Sequence, residues 1–290
     1  MKMFDKVVIV GVGLIGGSIG LAVKKKKLAK EVVGVARRES SRRKALKFKA
    51  VNKATLNLKE AVTGADLVIV ASPVGKIVTL AAKCVKFMGK DAILTDVGSS
   101  KECIVREIEK IAHRKTNFVG SHPMAGSDKS GVWCANPELF EDNPVIITKS
   151  KKTDKKSLAI LARFWKKLGA RVFVLSPAKH DRDVALASYL PHALSYALAG
   201  LQTKDSIKLA GGSLRDTTRV SSSDPELWKD IFLFSRGPLL GSIRAFFRDL
   251  AKLEKFVRKG DQKAVKRFLS AAKKVRDSIY DGNSNRRACR

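Results

Sequence analysis

A chain of 290 residues with 44% hydrophobic side chains can bury a substantial core or two domains, which excludes a globally disordered protein. It has no run of about 18 uncharged apolar residues, so no spanning helix is predicted. The basic cluster Lys24-Lys25-Lys26-Lys27 follows the first apolar segment instead of preceding it, the reverse of a secretory signal. The net charge of +31, from 58 Lys and Arg against 27 Asp and Glu, would suit a phosphate-binding surface. Yet the basic residues are scattered through every segment, with no zinc finger, helix-turn-helix or aromatic-interleaved basic strand. Neither a specific nucleic-acid partner nor a membrane partner is expected.

Segments of strand and helix character alternate over the first 175 residues or so. Lys6–Val10 reads as a buried strand and Leu14–Lys27 as a helix. Glu31–Val35 and Ser40–Lys49 repeat the pair. Leu67–Ala71 and Ala92–Asp96 are two more apolar strands, followed by helical patterns over Val74–Phe87 and Lys101–His113. Asn117–Gly120 ends a further strand. Pro144–Thr148, Leu158–Leu168 and Arg171–Leu175 continue the alternation. This is the pattern of an α/β domain built on one parallel sheet with helices on both faces.

The character changes after Ser176-Pro177. Ala178–Leu201 is one long helical pattern with Pro191 as an internal kink, and Lys229–Arg236, Leu239–Val257 and Gln262–Tyr280 are further helices. Asp224-Pro225 carries the start signal of a helix. The expected division is therefore a dinucleotide-binding Rossmann-type domain over 1–176 and an all-α domain over 177–290. The large apolar faces of the second part predict a homodimer. Cys84, Cys103, Cys134 and Cys289 show no metal-type spacing and read as free thiols of a reducing cytoplasm, with no metal site expected.

Gly11-Val12-Gly13-Leu14-Ile15-Gly16 has the spacing G-x-G-x-x-G, leaving a strand and opening a helix. Gly11 allows the tight turn, Gly13 lets a pyrophosphate approach the backbone, and Gly16 lets helix and strand pack closely. An NAD site calls for a carboxylate at the end of the second strand. This chain has Ala36-Arg37-Arg38-Glu39 there, and the two arginines can pair with a 2′-phosphate. NADP is the expected cofactor, with NAD as the alternative and Glu39 as the residue that argues against the phosphate. Thr95-Asp96-Val97-Gly98-Ser99-Ser100-Lys101 ends a strand at the edge where such sheets bind ligands; its serines suit either helix capping or contact with a cofactor. Gly120-Ser121-His122-Pro123 places one of only four histidines at a strand exit, with an ordinary pKa suited to proton abstraction. Tyr189-Leu190-Pro191-His192 sets another histidine beside the kink, where the bland alternative is a packed core ring.

Taken together, Gly11–Ser18, Asp96–Lys101, Gly120–Gly131, His180–His192 and Gly211–Phe232 resemble the prephenate/arogenate dehydrogenase family of tyrosine biosynthesis. The resemblance implies oxidative decarboxylation of a cyclohexadienol with NAD(P) as hydride acceptor. It implies that His122 is the base, that Ser99 positions His122 and the nicotinamide, and that Arg219 pairs with a substrate carboxylate. His192 would contact the substrate side chain. The cofactor would lie on Gly11, Gly13, Leu14, Ile15, Gly16, Arg37, Arg38, Ser72 and Ser99. Asp216, with Asp128 second, would favour the ammonium of arogenate over the keto group of prephenate. Where many members carry Gly-x-Glu, this chain has Gly126-Ser127-Asp128. With no mutase-like segment before residue 1 and no length for a regulatory domain after Tyr280, a single activity is expected. The competing readings are an NADP-linked β-hydroxy-acid dehydrogenase and a non-enzymatic nucleotide- or nucleic-acid-binding protein.

Overall fold

The computed structural model describes residues 2–111, 117–126 and 130–284. The chain forms two compact units, 1–239 and 240–290. The first unit opens with β1 (Phe4–Val10), α1 (Leu14–Lys25), β2 (Ala29–Val35), α2 (Glu39–Lys47), β3 (Lys53–Thr55) and α3 (Leu58–Val62). It continues with β4 (Leu67–Val70), α4 (Val74–Val85), β5 (Ile93–Asp96), α5 (Glu102–Ile111) and β6 (Asn117–Phe118). These six strands form one sheet in the order β3-β2-β1-β4-β5-β6, parallel throughout.

The strands read as unbroken apolar runs because both faces of the sheet are covered. Val7 and Ile9 point into one core with Ile19 and Val23 of α1, while Val8 and Val10 point into the other with Ile77 and Ala81 of α4. All eight side chains are fully buried or nearly so, and each contributes on the order of 1–3 kcal/mol, least for the alanine. The strand order reverses direction between β1 and β4. That crevice, at the carboxyl ends of the strands, is where an open α/β sheet binds its ligand.

The chain then enters β7 (Ser121–Pro123), a 3₁₀ turn at Val132–Cys134, β8 (Pro144–Thr148), α6 (Lys155–Lys167) and β9 (Arg171–Leu175). Here the structure corrects the sequence reading. These strands do not continue the first sheet but form a second one in the order β7-β8-β9, with β7 antiparallel to β8 and β8 parallel to β9. The crossing happens at Gly120, whose carbonyl accepts the Thr148 amide at 2.8 Å. A Cβ at Gly120 would lie 2.5 Å from Thr148 Oγ1, so only glycine passes so close to β8. His122 consequently sits inside a strand opposite Ile146, not on a loop at a strand exit.

From Pro177 onward the described residues contain only helices: α7 (Pro177–Val184), a π-helical turn at Ala185–Tyr189, α8 (Leu190–Gly200), α9 (Lys204–Lys208) and α10 (Gly212–Thr218). A 3₁₀ turn at Arg219–Ser222, α11 (Pro225–Phe234), α12 (Arg236–Arg258) and α13 (Gln262–Ser284) follow. The single helix expected over Ala178–Leu201 is thus divided. Pro191 lacks the amide that would bond Ala187, and the π turn holds Ala187 while Pro191 enters the first turn of α8. Asp224 caps α11 as the sequence predicts, accepting the Glu226 amide at 2.9 Å.

Within the first compact unit, side chains of α7 bond directly to the first amide of α5 and to β7. The second unit comprises most of α12 and all of α13. Phe247, Leu250, Val257, Leu269, Val275 and Ile279 are all exposed on it. Among the described residues, no helix is long and apolar enough to cross a membrane. Nor does any group of three or more His, Cys, Asp or Glu side chains there form a metal site. Cys84, Cys103 and Cys134 are free thiols, and Cys289 lies outside the described residues.

Candidate active site

The fingerprint glycines line the β1–β4 crevice. Gly11 has φ of +100°, and a Cβ there would lie 2.5 Å from the Ala71 carbonyl oxygen and 2.7 Å from Ser72 Oγ. A Cβ at Gly16 would sit 2.0 Å from the Gly11 carbonyl oxygen, whereas one at Gly13 would meet nothing within 4 Å. Two glycines therefore close the strand onto the helix, and the third leaves an open approach. Gly13 is the N-cap of α1 and brings no side chain to it, and no acidic residue occupies the first turn. By contrast α3, α6, α7 and α11 are capped by Asn57, Asp154, Ser176 and Asp224. The amides of Leu14 and Ile15 thus face the crevice with the positive end of the helix dipole. Ser72 stands across from them and bonds the Val10 carbonyl at 3.2 Å. These residues fit a dinucleotide.

At the end of β2, Arg37 and Arg38 are exposed and make no ion pair among the described residues. Glu39 does not oppose them freely. Its carboxylate accepts Arg42 Nε and Nη2 at 2.7 and 2.6 Å and Arg43 Nε at 3.2 Å. The fork of Arg42 and the charge of Arg43 hold it down to a pKa of about 2.

A buried polar cluster lies behind the C-terminal end of β5. His122 Nδ1 is 2.8 Å from His180 Nε2, and His180 Nδ1 is 2.7 Å from Asp181 Oδ1. A carboxylate can only accept, so His180 carries its proton on Nδ1 and accepts through Nε2. His122 must then donate from Nδ1, which leaves the lone pair of His122 Nε2 free. His122 and His180 are buried, and both are held below the ordinary histidine value. For each, the main cause is loss of hydration, and the positive charge of Lys101 adds to it. The result is a neutral imidazole with one defined basic nitrogen.

Asp181 does more than orient His180. Its two oxygens accept the amides of Lys101 at 2.7 Å and Glu102 at 3.0 Å, so it caps α5 from 80 residues away in the chain. Serine capping within the Gly98–Lys101 segment is not what starts this helix. Ser100 instead bonds Ser235, the C-cap of α11, at 2.6 Å. The Ser99 carbonyl accepts the Tyr189 hydroxyl at 2.7 Å, and no hydrogen bond joins Ser99 to His122. The bond that orients the His122 ring comes from His180. Lys101 Nζ pairs with Asp96, both fully buried. Asp96 also accepts the Gly98 amide at 2.9 Å and the Ser121 amide at 3.4 Å.

A family model described as "Prephenate dehydrogenase, nucleotide-binding domain" matches residues 19–174, and "Prephenate dehydrogenase, dimerization domain" matches 176–271. The prephenate dehydrogenase of Bacillus subtilis is 34% identical over 96% of this chain and 77% of its own length. The chain belongs to the prephenate dehydrogenase family. It is an oxidoreductase with the family's Rossmann-type and helical halves. Among solved structures, Aquifex aeolicus prephenate dehydrogenase in complex with hydroxyphenyl propionate and NAD+ superposes with a TM-score of 0.89. It is 32% identical and covers 95% of this chain and 98% of that one. Synechocystis arogenate dehydrogenase gives 0.83 at 29% identity, covering 94% and 99%.

The helical half of this family member sets out a second group. His192 stacks on Trp228 with ring centroids 3.5 Å apart and planes 21° from parallel. Its Nδ1 donates to the Ser188 carbonyl at 2.9 Å, so Nε2 is again the free acceptor. Burial lowers its pKa, and the positive charge of Arg219 adds to the shift. Asp216 is exposed on α10 and pairs with neither Arg219 nor His192. Asp128 lies outside the described residues. His180, Asp181, Asp96 and Lys101 were not read as site residues from the sequence. The signal was available: Asp96 and Lys101 flank the serines of one diagnostic segment, and His180-Asp181 opens another.

Proposed function

We propose that this protein is an NADP-dependent dehydrogenase that oxidatively decarboxylates arogenate to tyrosine, prephenate to 4-hydroxyphenylpyruvate, or both. The observation that carries the reading is His122. Its Nε2 is left unprotonated by the Asp181–His180 chain, in the same unit as a glycine cradle that fits a dinucleotide. The names of the relatives supply the substrate class.

Bound in that cradle, the nicotinamide would take the hydride from the hydroxyl-bearing ring carbon. His122 Nε2 takes the hydroxyl proton as the hydride departs, carbon dioxide leaves, and the ring becomes aromatic. The imidazolium formed on His122 is stabilised through His180 by the Asp181 carboxylate. A positioned base of this kind contributes about 10²- to 10⁴-fold. Arg219 anchors one carboxylate of the dicarboxylate substrate, and His192, steadied by Trp228 and Ser188, meets its side chain. Ser99 stands at the nicotinamide end. Arg37 and Arg38, with Glu39 occupied by Arg42, favour the 2′-phosphate of NADP over the bare ribose of NAD.

Residues 1–176 serve the dinucleotide in this reading, and 177–290 the substrate and a second copy of the chain in the cytoplasm. The exposed apolar side chains of α12 and α13 suit such a homodimer. The test is a steady-state assay at 340 nm that crosses arogenate and prephenate with NADP and NAD. Turnover of arogenate with NADP above the other pairs supports the full reading. Prephenate with NAD keeps the family but removes both specificity arguments, and no turnover with either substrate removes the reading.

A further inference from the structure

The buried cluster around His122 can be treated as a charge balance. The groups that face it are His180 and Asp181 from α7, Lys101 at the head of α5 and Asp96 at the end of β5. Its antiparallel neighbour β8 carries no titratable side chain from Pro144 to Thr148. Tyr189 on the π turn is kept neutral, since burial raises its hydroxyl. The remaining charges of α7 lie towards solvent, where Lys179 pairs with Asp183 at 2.6 Å and Arg182 is exposed. Burial draws the Lys101 ammonium down, and the Asp96 and Asp181 carboxylates oppose that shift; with the Lys101–Asp96 ion pair formed and both histidines neutral, the cluster holds two carboxylates and one ammonium, a net charge of −1. One proton brings it to zero.

Lys101 touches both halves of this cluster. Its ammonium sits on Asp96, which also takes the amide of Ser121, the residue before His122. Its own amide sits on Asp181, which orients His180 and through it His122. Gly120 brings the chain past the same lysine, since a Cβ there would lie 3.4 Å from Lys101 Cδ. We propose that Lys101 is a positioning residue for the base: it braces both ends of the histidine chain, and its charge limits the site to the uptake of a single proton. This rests on the reading of His122 as the base and extends it. Without the ammonium, two buried carboxylates would share the site, and the proton affinity of His122 would rise.

The experiment is an NMR titration of the histidine rings in the full-length protein, tractable with four histidines in the chain, beside the pH profile of kcat. Lys101→Gln takes the cluster to −2, so the His122 midpoint and the acid limb of kcat should rise by on the order of one pH unit. The double variant Asp96→Asn/Lys101→Gln returns the cluster to −1 and should return both midpoints to the wild-type position. Asp96→Asn alone takes it to zero and should move them down. A purely structural lysine would lower activity without this ordered movement. Equal midpoints in Lys101→Gln and the double variant overturn the proposal. Should Lys101→Gln fail to fold, the other two variants decide: Asp96→Asn at or above the double variant also overturns it. Because the ring titration needs no turnover, it separates failure of this inference from failure of the substrate assignment.

Discussion

His122 and His180 share one hydrogen bond, 2.8 Å from Nδ1 of the first to Nε2 of the second, and it decides which nitrogen of His122 can act as a base. Asp181 fixes the direction of that bond by accepting from the far side of His180. Replacing His180 with Asn should therefore lower kcat by about 10²-fold, at the lower end of the range for a general base. KM and dinucleotide affinity should change little. Steady-state kinetics with a cofactor-binding titration checks this, and a loss confined to KM would count against the assigned tautomer. His122→Asn should lose more turnover than His180→Asn, with cofactor binding retained.

Asp181 supports both the helix and the base. Asp181→Ala should cost about 1–3 kcal/mol, from the lost cap of α5 and from buried amides left without an acceptor. Asp181→Asn keeps one acceptor oxygen and should lose less. Chemical denaturation ranks the two, and both variants should lose turnover. An alanine variant as stable as wild type would show that α5 does not need this cap.

The pH dependence of folding has a definite sign. His122 and His180 are lowered in the folded state, so below about 6.5 the unfolded chain binds protons that the native cluster refuses. Their contribution to stability is complete above about pH 6.5 and declines as pH falls towards the lowered native values. Urea denaturation between pH 5 and 8 should show stability rising with pH over the lower part of that range. The slope should be smaller in a variant with both rings replaced by Asn.

Among the described residues Arg37 and Arg38 make no ion pair at the end of β2, whereas Arg42 is committed to Glu39. Replacing both Arg37 and Arg38 with Ala should weaken NADP by about ten- to a hundredfold, the range of a charge-assisted hydrogen bond, and leave NAD nearly unchanged. Fluorescence titration with each reduced cofactor reads this directly.

Asp216 is exposed on α10, free to meet a substrate ammonium. If it selects arogenate, Asp216→Asn lowers kcat/KM for arogenate more than for prephenate. An equal fall on both substrates removes the role.

Much of this protein follows from local pattern. The apolar runs of β1, β2, β4 and β5 and the amphipathic helices between them show a covered parallel sheet. The spacing Gly11-x-Gly13-x-x-Gly16 marks the dinucleotide cradle because each glycine answers a backbone need within six residues. His122 stood out as a rare side chain in a constrained segment. What tertiary structure alone decided is long-range. The three-residue strand β3 carries no apolar run, and its place comes from pairing with β2. The switch from the first sheet to the second depends on Gly120 meeting Thr148, 28 residues away. The state of the His122 ring depends on Asp181 lying 80 residues from the amide it caps and His180 lying 58 residues from the ring it orients. Hydrogen bonds and burial act between groups close in space whatever their separation along the chain. The sequence could therefore single out His122, and only the folded chain could fix its tautomer and charge.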